Sequence, residues 1–117
     1  MKNRPFLQRL GFACTGMAGA FRSERSVRVH VLAVAVVLSV LLYVRPAAIW
    51  WALMTLAVMF VLAAELINTA VEHLADHLHP QQHARIKVVK DLAAAAVLVA
   101  SLGALGIAVA FAVTILS

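Results

Sequence analysis

The chain has 117 residues, of which 64% are hydrophobic, and its mean hydropathy is +0.97. Soluble domains are nearer half apolar, so the composition indicates an integral membrane protein, with residues 1–117 forming a single domain. The net charge of +5 bears on membrane topology and lipid headgroups, and we expect no nucleic-acid partner. The single cysteine excludes an internal disulfide.

Residues 6–22 are predicted to form an amphipathic helix. Aromatic and aliphatic side chains supply its apolar surface, whereas Arg9 and Arg22 supply polar surface. The segment is too polar to cross a bilayer, so we expect it to lie in the membrane interface. Ser23 is the predicted N-cap of the next helix, with Glu24 in the first turn.

Three apolar runs follow, each close to the roughly 20 residues that cross a bilayer as a helix. We predict transmembrane helices at about residues 26–43, 47–64 (continuing as a helix to 76) and 92–116. A tight turn is expected at Arg45 and Pro46 because the residue before proline is disfavoured in a helix. A loop around Pro80 separates the second helix from the third. The predicted fold is all-α: a surface helix plus three spans.

Charge indicates the orientation of the chain. Every Lys and Arg except Arg45 lies before the first span, at its basic start (Arg28) or between the second and third. The positive-inside rule then places the N-terminus and the second loop in the cytoplasm. All five acidic residues lie on that same side: Glu24, Glu65, Glu72, Asp76 and Asp91. Acids gathered at one membrane face indicate a functional site.

Four polar residues form a stripe on the second span and its extension. Glu65, Asn68, Glu72 and Asp76 are spaced i, i+3, i+7 and i+11. At about 100° per residue they fall within roughly an 80° arc of one helix face. An acid at membrane depth is costly unless it faces a partner or water, so it is a functional hypothesis by default. The alternative is a polar seam that joins helices.

These residue types suit a site for a metal-bound nucleotide. Carboxylates, an Asn and a Lys are present, without a nucleophilic Cys or a catalytic triad. Mg²⁺ takes oxygen ligands and uses only one or two protein carboxylates beside phosphate and water. Phosphoryl transfer needs cations on the phosphates and a base for the attacking hydroxyl. There is no Walker loop and no protein-kinase glycine loop.

A longer ordered pattern resembles the bacterial diacylglycerol kinase family, which includes the undecaprenol kinases. The pattern is Glu65-x-x-Asn68-Thr69-Ala70-x-Glu72-x-x-x-Asp76, then His83, then Lys90-Asp91-x-Ala93-x-Ala95-Ala96-Val97-Leu98. The resemblance covers nearly the whole chain. It implies a homotrimer in the bacterial inner membrane, with active sites at the membrane interface between subunits. It also implies an enzyme that uses ATP and Mg²⁺ to phosphorylate diacylglycerol or, alternatively, undecaprenol.

The resemblance assigns roles by position. It makes Glu65 the catalytic base on the lipid hydroxyl, with Asn68 orienting Glu65 or the γ-phosphate. Glu24 and Glu72 would hold the Mg²⁺ that bridges the ATP phosphates. Further nucleotide contacts would come from the loop and the start of the third span: Gln81, Gln82, His83, Lys90 and Asp91.

The chain departs from the family pattern in places. Phe12 stands where the best-known member type has a Tyr, so this position offers ATP no hydroxyl contact. Ala94 stands near the lipid hydroxyl where some members have Ser. Asp76 is predicted to be structural and to pair with Arg85 or Arg28.

Four histidines flank the loop after the second span: His73, His77, His79 and His83. His73 and His77 have the spacing of zinc ligands on a helix. Without a Cys ligand or a zinc-protease signature, these histidines are better interpreted as hydrated residues at headgroup level.

The sequence leaves open which lipid is the acceptor and whether the chain belongs to another class of protein. The Ser23–His30 segment looks more like the undecaprenol-kinase branch, so both lipid acceptors are candidates. From another class, the chain could be a small transporter subunit or a non-catalytic assembly protein. A transporter needs polar residues near the bilayer midplane, and only Ser39, Thr55 and Ser101 lie deep, which argues against transport.

Overall fold

The computed structural model describes residues 3–78 and 83–117. These residues form four helices: α1 (Phe6–Ser23), α2 (Arg25–Val44), α3 (Ala48–Leu78) and α4 (Ala84–Leu116). The last three are long and apolar enough to cross a membrane, with mean hydropathies of 2.4, 2.0 and 2.5 in their most apolar stretches. They contain the three predicted spans, except that residue 47 precedes α3.

α3 and α4 extend beyond the predicted hydrophobic spans. Their 31 and 33 residues correspond to lengths of about 46 and 50 Å at 1.5 Å per residue. The hydrocarbon core of a bilayer is only about 30 Å thick. Because the polar stripe of α3 and the basic start of α4 lie at the same end, both helices can project from the membrane there. The loop residues His79, Gln81 and Gln82 lie outside the described residues.

The junction between α1 and α2 differs from its prediction. Ser23 is the last residue of α1 and donates a hydrogen bond to the carbonyl of Gly19 at 2.8 Å. Glu24 is extended (φ −114°, ψ 114°) and is the N-cap of α2. The prediction that Ser23 caps α2 is therefore wrong, because the helix breaks one residue later. Arg28 secures the junction by donating to two last-turn carbonyl oxygens of α1, each at 3.0 Å.

The opposite end of the bundle turns sharply at Arg45. This residue has φ 52° and ψ 57°, in the left-handed region, and its N–H donates to Leu41 O at 2.8 Å. A left-handed residue closes the last turn of a helix by this bond. Pro46 follows and cannot continue the helix. The tight turn expected at this dipeptide is present.

The apolar core lies near that turn. Leu41, Met54 and Phe111, from three different helices, are its buried residues. The ring of Trp50 meets that of Phe111 edge to face, with centroids 5.4 Å apart. Such aromatic pairs contribute beyond the area that they bury. Close packing therefore fixes α2, α3 and α4 relative to one another at this end.

α3 is the central helix of the bundle. It contacts both α2 and α4, and 28% of its most apolar stretch is buried, against 11% for α2 and 6% for α4. The outer helices thus leave most of their apolar side chains exposed. An exposed apolar surface of this extent marks contact with lipid or with another protein chain.

Candidate active site

The polar stripe of α3 runs from buried to exposed. Glu65 and Asn68 are only 6% and 8% exposed, Glu72 is half-buried, and the Asp76 side chain is 62% exposed. Glu65 is therefore the acid that the bundle encloses most completely.

Glu65 is held by a residue of α2. The hydroxyl of Ser26 donates to Glu65 Oε1 at 2.6 Å. Ser26 lies in the first turn of α2, so the bond crosses between two helices. It occupies one of the two carboxylate oxygens. Hydrogen bonds to an ionised acceptor are short and strong, which matches the distance.

Asn68 presents a buried atom without a partner. Its Nδ2 donates to Glu72 Oε1 at 3.0 Å, while its Oδ1 is buried and makes no hydrogen bond within the described residues. The amide orientation is the chemically sensible one, because a carboxylate accepts and only Nδ2 can donate. Leaving a buried acceptor unpaired costs about 1–3 kcal/mol. Asn68 Oδ1 is thus suited to a cation or a donor from a ligand.

Glu24 reaches the same region from the α1–α2 junction. Its Oε1 lies 2.8 Å from His73 Nε2. Because a carboxylate oxygen accepts, Nε2 carries the hydrogen of this bond. His73 directly follows Glu72 on α3, so the structure brings Glu24 to the turn that carries the second predicted metal ligand.

Lys90 is the basic residue that pairs with Asp76. Its Nζ lies 2.6 Å from Asp76 Oδ1, so the prediction that Asp76 pairs with Arg85 or Arg28 is wrong. The guanidinium of Arg28, a residue of α2, instead donates to the last-turn carbonyls of α1. The hydrogen bond to Asp76 raises the pKa of Lys90, which precedes the predicted third span, and the ammonium stays charged at neutral pH.

The other predicted contacts are spread along α4. Asp91 binds Lys87 of its own helix at 2.7 Å, and both side chains are more than half exposed. Such i, i+4 surface pairs contribute little to stability. His83 is the N-cap of α4 and accepts from the N–H of Arg85 at 3.1 Å. Ala94 lies exposed, one turn deeper than Lys90.

A cleft of about 550 Å³ lies between α1 and α3. Small residues such as Ala13 and Gly16 form its α1 side, and Thr69 and His73 lie on its α3 side. The small side chains leave room between the helices. Thr69 and His73 directly follow Asn68 and Glu72, so the cleft lies on the neighbouring face of the same turns of α3.

A second cavity, of about 240 Å³, lies one turn deeper than Glu65. Val61 of α3, His30 of α2 and Ser101 of α4 are among its lining residues. His30 Nδ1 lies 2.7 Å from the carbonyl oxygen of Ser26. A carbonyl only accepts, so Nδ1 carries the hydrogen in this contact. The cavity has two polar groups in an otherwise apolar wall.

The donor set fits Mg²⁺ carried by a nucleotide. Glu24, Glu72 and Asn68 Oδ1 are hard oxygen donors near the same turn of α3. In the two described stretches of chain, no three or more His, Cys, Asp and Glu side chains cluster to hold a metal on their own. Phosphate and water would complete the shell, as is usual for Mg²⁺.

Sequence reasoning missed two contacts of the site. It treated Ser26 only as part of the segment that opens the first span, and it treated His73 as a headgroup-level residue. Both contacts join residues far apart in the chain. The signal available for Ser26 was a hydroxyl in the first helical turn, where the helix offers it no carbonyl four residues earlier.

The fold and the site define a small helical membrane protein with buried polar groups at one end of its spans. The family model described as prokaryotic diacylglycerol kinase matches residues 11–112, and the chain belongs to this family. The resemblance is thereby confirmed.

Two relatives are of similar identity. A diacylglycerol kinase of Synechocystis sp. is 34% identical over 94 residues, which cover 80% of this chain and 54% of that protein. An undecaprenol kinase of Bacillus subtilis is 33% identical over 94 residues, which cover 80% of this chain and 76% of that protein. The chain thus spans about half the length of the first relative and three quarters of the second.

Proposed function

We propose that this protein is an ATP-dependent lipid kinase that phosphorylates the hydroxyl of diacylglycerol to give phosphatidate. It would work at a bacterial inner membrane with its N-terminus in the cytoplasm. The observation that carries the proposal is a carboxylate only 6% exposed, where the apolar stretch of α3 ends, one turn from the unpartnered Asn68 Oδ1. Membership of the prokaryotic diacylglycerol kinase family supports it.

Glu65 is the proposed general base. A lipid hydroxyl arrives from the apolar side, and Glu65 is the deepest acid of the stripe. The hydroxyl proton passes to the carboxylate as the hydroxyl oxygen bonds to the γ-phosphorus of ATP. The bond from that phosphorus to the β,γ-bridging oxygen breaks, and ADP leaves.

The nucleotide would bind on the exposed side of Glu65. Mg²⁺, held by Glu24 and Glu72, supplies charge neutralisation on the phosphates when bound. Asn68 Oδ1 adds an oxygen donor beside Glu72, and Lys90 adds a cation. The remaining proposed nucleotide contacts are Gln81, Gln82, His83 and Asp91. The cleft between α1 and α3, which Thr69 and His73 line, offers space on the adjacent face of α3.

Undecaprenol is the second candidate acceptor, and the cavity below Glu65 favours it. The cavity wall is apolar apart from His30 and Ser101. The Nδ1–H of His30 is engaged by the carbonyl oxygen of Ser26, so Ser101 supplies the hydroxyl donor of this wall. A polyprenol has a single polar group, its hydroxyl, whereas diacylglycerol has two esters beside the hydroxyl. Ala94 would lie near either acceptor.

One assay tests both candidates. Purified protein is given labelled ATP and Mg²⁺ with either diacylglycerol or undecaprenol in mixed micelles, and labelled lipid is counted. Labelled phosphatidate supports the first candidate, and labelled undecaprenyl phosphate supports the second. Absence of labelled product from both lipids, in protein that is folded by its helical circular dichroism, contradicts a lipid kinase.

The proposed enzyme is a homo-oligomer, a trimer by family resemblance, with sites shared between chains. Within one chain, Lys90 is held at the level of Asp76. Asp76 follows Glu65 by 11 residues, which corresponds to about 16 Å along the helix. Direct contact with one γ-phosphate requires both groups within a few ångströms. Rotation about the membrane normal leaves a neighbouring chain's Lys90 at the same depth, so in either chain Lys90 would contact the nucleotide farther from Glu65 than the γ-phosphate. The sharing of sites between chains therefore rests on the family resemblance, and the exposed apolar faces of α2 and α4 could pack in the oligomer.

Mixing two inactive variants tests the sharing. Glu65→Gln and Lys90→Ala are dissociated, combined and reassembled. If base and lysine come from different chains, some mixed oligomers recover one intact site and activity rises above that of either variant. Mixed oligomers that form without any gain in activity would contradict this division of the site.

A further inference from the structure

The hydroxyl of Ser26 behaves differently from other hydroxyls of the bundle. Thr15, Ser23, Ser39 and Thr114 each donate to the backbone carbonyl four residues earlier. Ser26 instead donates across to Glu65 Oε1 at 2.6 Å. The hydroxyl of a helical serine ordinarily bonds within its own helix, so the contact with another helix needs an explanation.

The helix break at Glu24 supplies the explanation. α2 begins at Arg25, so the residue four before Ser26 belongs to α1. That residue is Arg22, and its carbonyl accepts from the guanidinium of Arg28. The usual local acceptor of Ser26 is therefore in the preceding helix and already engaged. The serine hydroxyl is left to bind the buried carboxylate.

We infer that Ser26 is a positioning residue, which holds the Glu65 carboxylate in the orientation that takes the proton from the acceptor lipid. The inference rests on the proposed function of Glu65 as the base. A glutamate side chain has several rotatable bonds, and the hydroxyl of Ser26 is the donor that the described residues show at the buried Glu65 carboxylate. A bond to Oε1 from a separate helix fixes the carboxylate and leaves its second oxygen for the substrate.

Positioning of this kind affects the rate rather than nucleotide binding. A displacement of about 1 Å in a reacting group can lower a rate about 10²-fold. Ser26 touches the base and is not among the residues proposed to hold ATP or Mg²⁺. Its loss is expected to lower kcat while the KM for ATP stays near its original value.

The decisive comparison is between Ser26→Thr and Ser26→Val. The two side chains have almost the same shape, and only threonine carries a hydroxyl. Ser26 is exposed, so either extra methyl group has room. We expect kcat to fall about 10- to 100-fold in the Val variant and to stay within about threefold of the original in the Thr variant. Ser39→Ala, which removes a hydroxyl bonded within α2, is the matched control and should leave kcat unchanged.

Each outcome of these measurements either supports or overturns the positioning role of Ser26. Equal kcat in Thr and Val variants, whether both high or both low, overturns the inference, as does a change confined to the KM for ATP. If Val disturbs assembly, seen as loss of the oligomer peak in size exclusion, folded Ser26→Ala replaces it, and an unchanged kcat there overturns the inference. If the original protein phosphorylates neither lipid, the proposed function fails, which is a different result from an active enzyme indifferent to Ser26.

Discussion

The two ends of the helical bundle are held together by different chemistry. At the Arg45 end, Leu41, Met54 and Phe111 pack in a small apolar core. At the Glu65 end, the contacts between helices include polar ones, such as Ser26 to Glu65 and His73 to Glu24. Apolar packing tolerates replacement by similar volume, whereas a hydrogen bond to a carboxylate requires one atom at one place. The first end therefore suits stability and the second suits chemistry.

Glu65→Gln tests most directly whether the Glu65 end serves chemistry, because it should abolish turnover and preserve the fold. The amide keeps an oxygen that can accept from Ser26, so the fold should persist, but it cannot take a proton. We expect turnover to fall about 10²- to 10⁴-fold, the usual range for a general base. Rates of labelled lipid formation, alongside ATP binding by isothermal calorimetry, measure the two properties separately. A variant that turns over at nearly the original rate would remove Glu65 from the role of base.

A smaller effect is expected at the proposed metal ligands. Glu24→Ala and Glu72→Ala should each weaken use of Mg²⁺-ATP, by about tenfold in kcat/KM, with partial recovery at higher Mg²⁺. Metal-ligand loss lowers affinity for the ion, and mass action restores occupancy. The readout is kcat/KM for ATP across a series of Mg²⁺ concentrations.

Glu24→Gln is the control for the Glu24 variant. The amide oxygen can still accept from His73, so this change keeps the hydrogen bond to α3 and removes the negative charge. If Glu24→Gln behaved like the original enzyme while Glu24→Ala failed, Glu24 would be structural. Activity that ignores Mg²⁺ concentration in both Ala variants would contradict the metal role.

At the apolar end we expect a substitution to lower stability and to leave turnover unchanged. Phe111→Ala removes the buried ring that meets Trp50, whereas Phe60→Ala removes a ring that is 65% exposed. We expect Phe111→Ala to lower the free energy of unfolding by about 1–3 kcal/mol, less than in soluble cores because helices in lipid lack the hydrophobic driving force. Thermal unfolding in detergent measures it, and turnover per folded molecule should not change. Equal unfolding temperatures for the two variants would contradict the packed core.

The smallest effect is expected at the turn itself. Arg45 has φ 52°, where an L-residue is strained and glycine is not. Arg45→Gly should stabilise the folded state relative to Arg45→Ala by about 0.5–1 kcal/mol, because both lose the guanidinium and only Gly relieves the strain. Unfolding temperatures of the two variants give the comparison. A lower temperature for the Gly variant would show that the turn is not strained.

The polar stripe was accessible from the sequence because helical periodicity is a local property. Spacing alone placed Glu65, Asn68, Glu72 and Asp76 on one face of α3, and the apolar runs predicted the helices that could cross a membrane. The partner of Asp76 was predicted wrongly because the sequence offers several basic residues, among them Arg85 and Arg28, without saying which of them lies close in space. Only packing decides which of them lies within reach, and it selects Lys90.

The sequence by itself determined the helical membrane character, the position of the acids at one end and the family of the protein. These follow from composition, periodicity and ordered motif residues, each read along the chain. The tertiary structure alone decided that Ser26 binds Glu65, that His73 binds Glu24 and that Asn68 Oδ1 is buried without a partner within the described residues. Such contacts depend on where the helix breaks at Glu24 and on how neighbouring helices rotate against α3. A shift of one residue turns a helical side chain by about 100°, so these details are set by packing between helices.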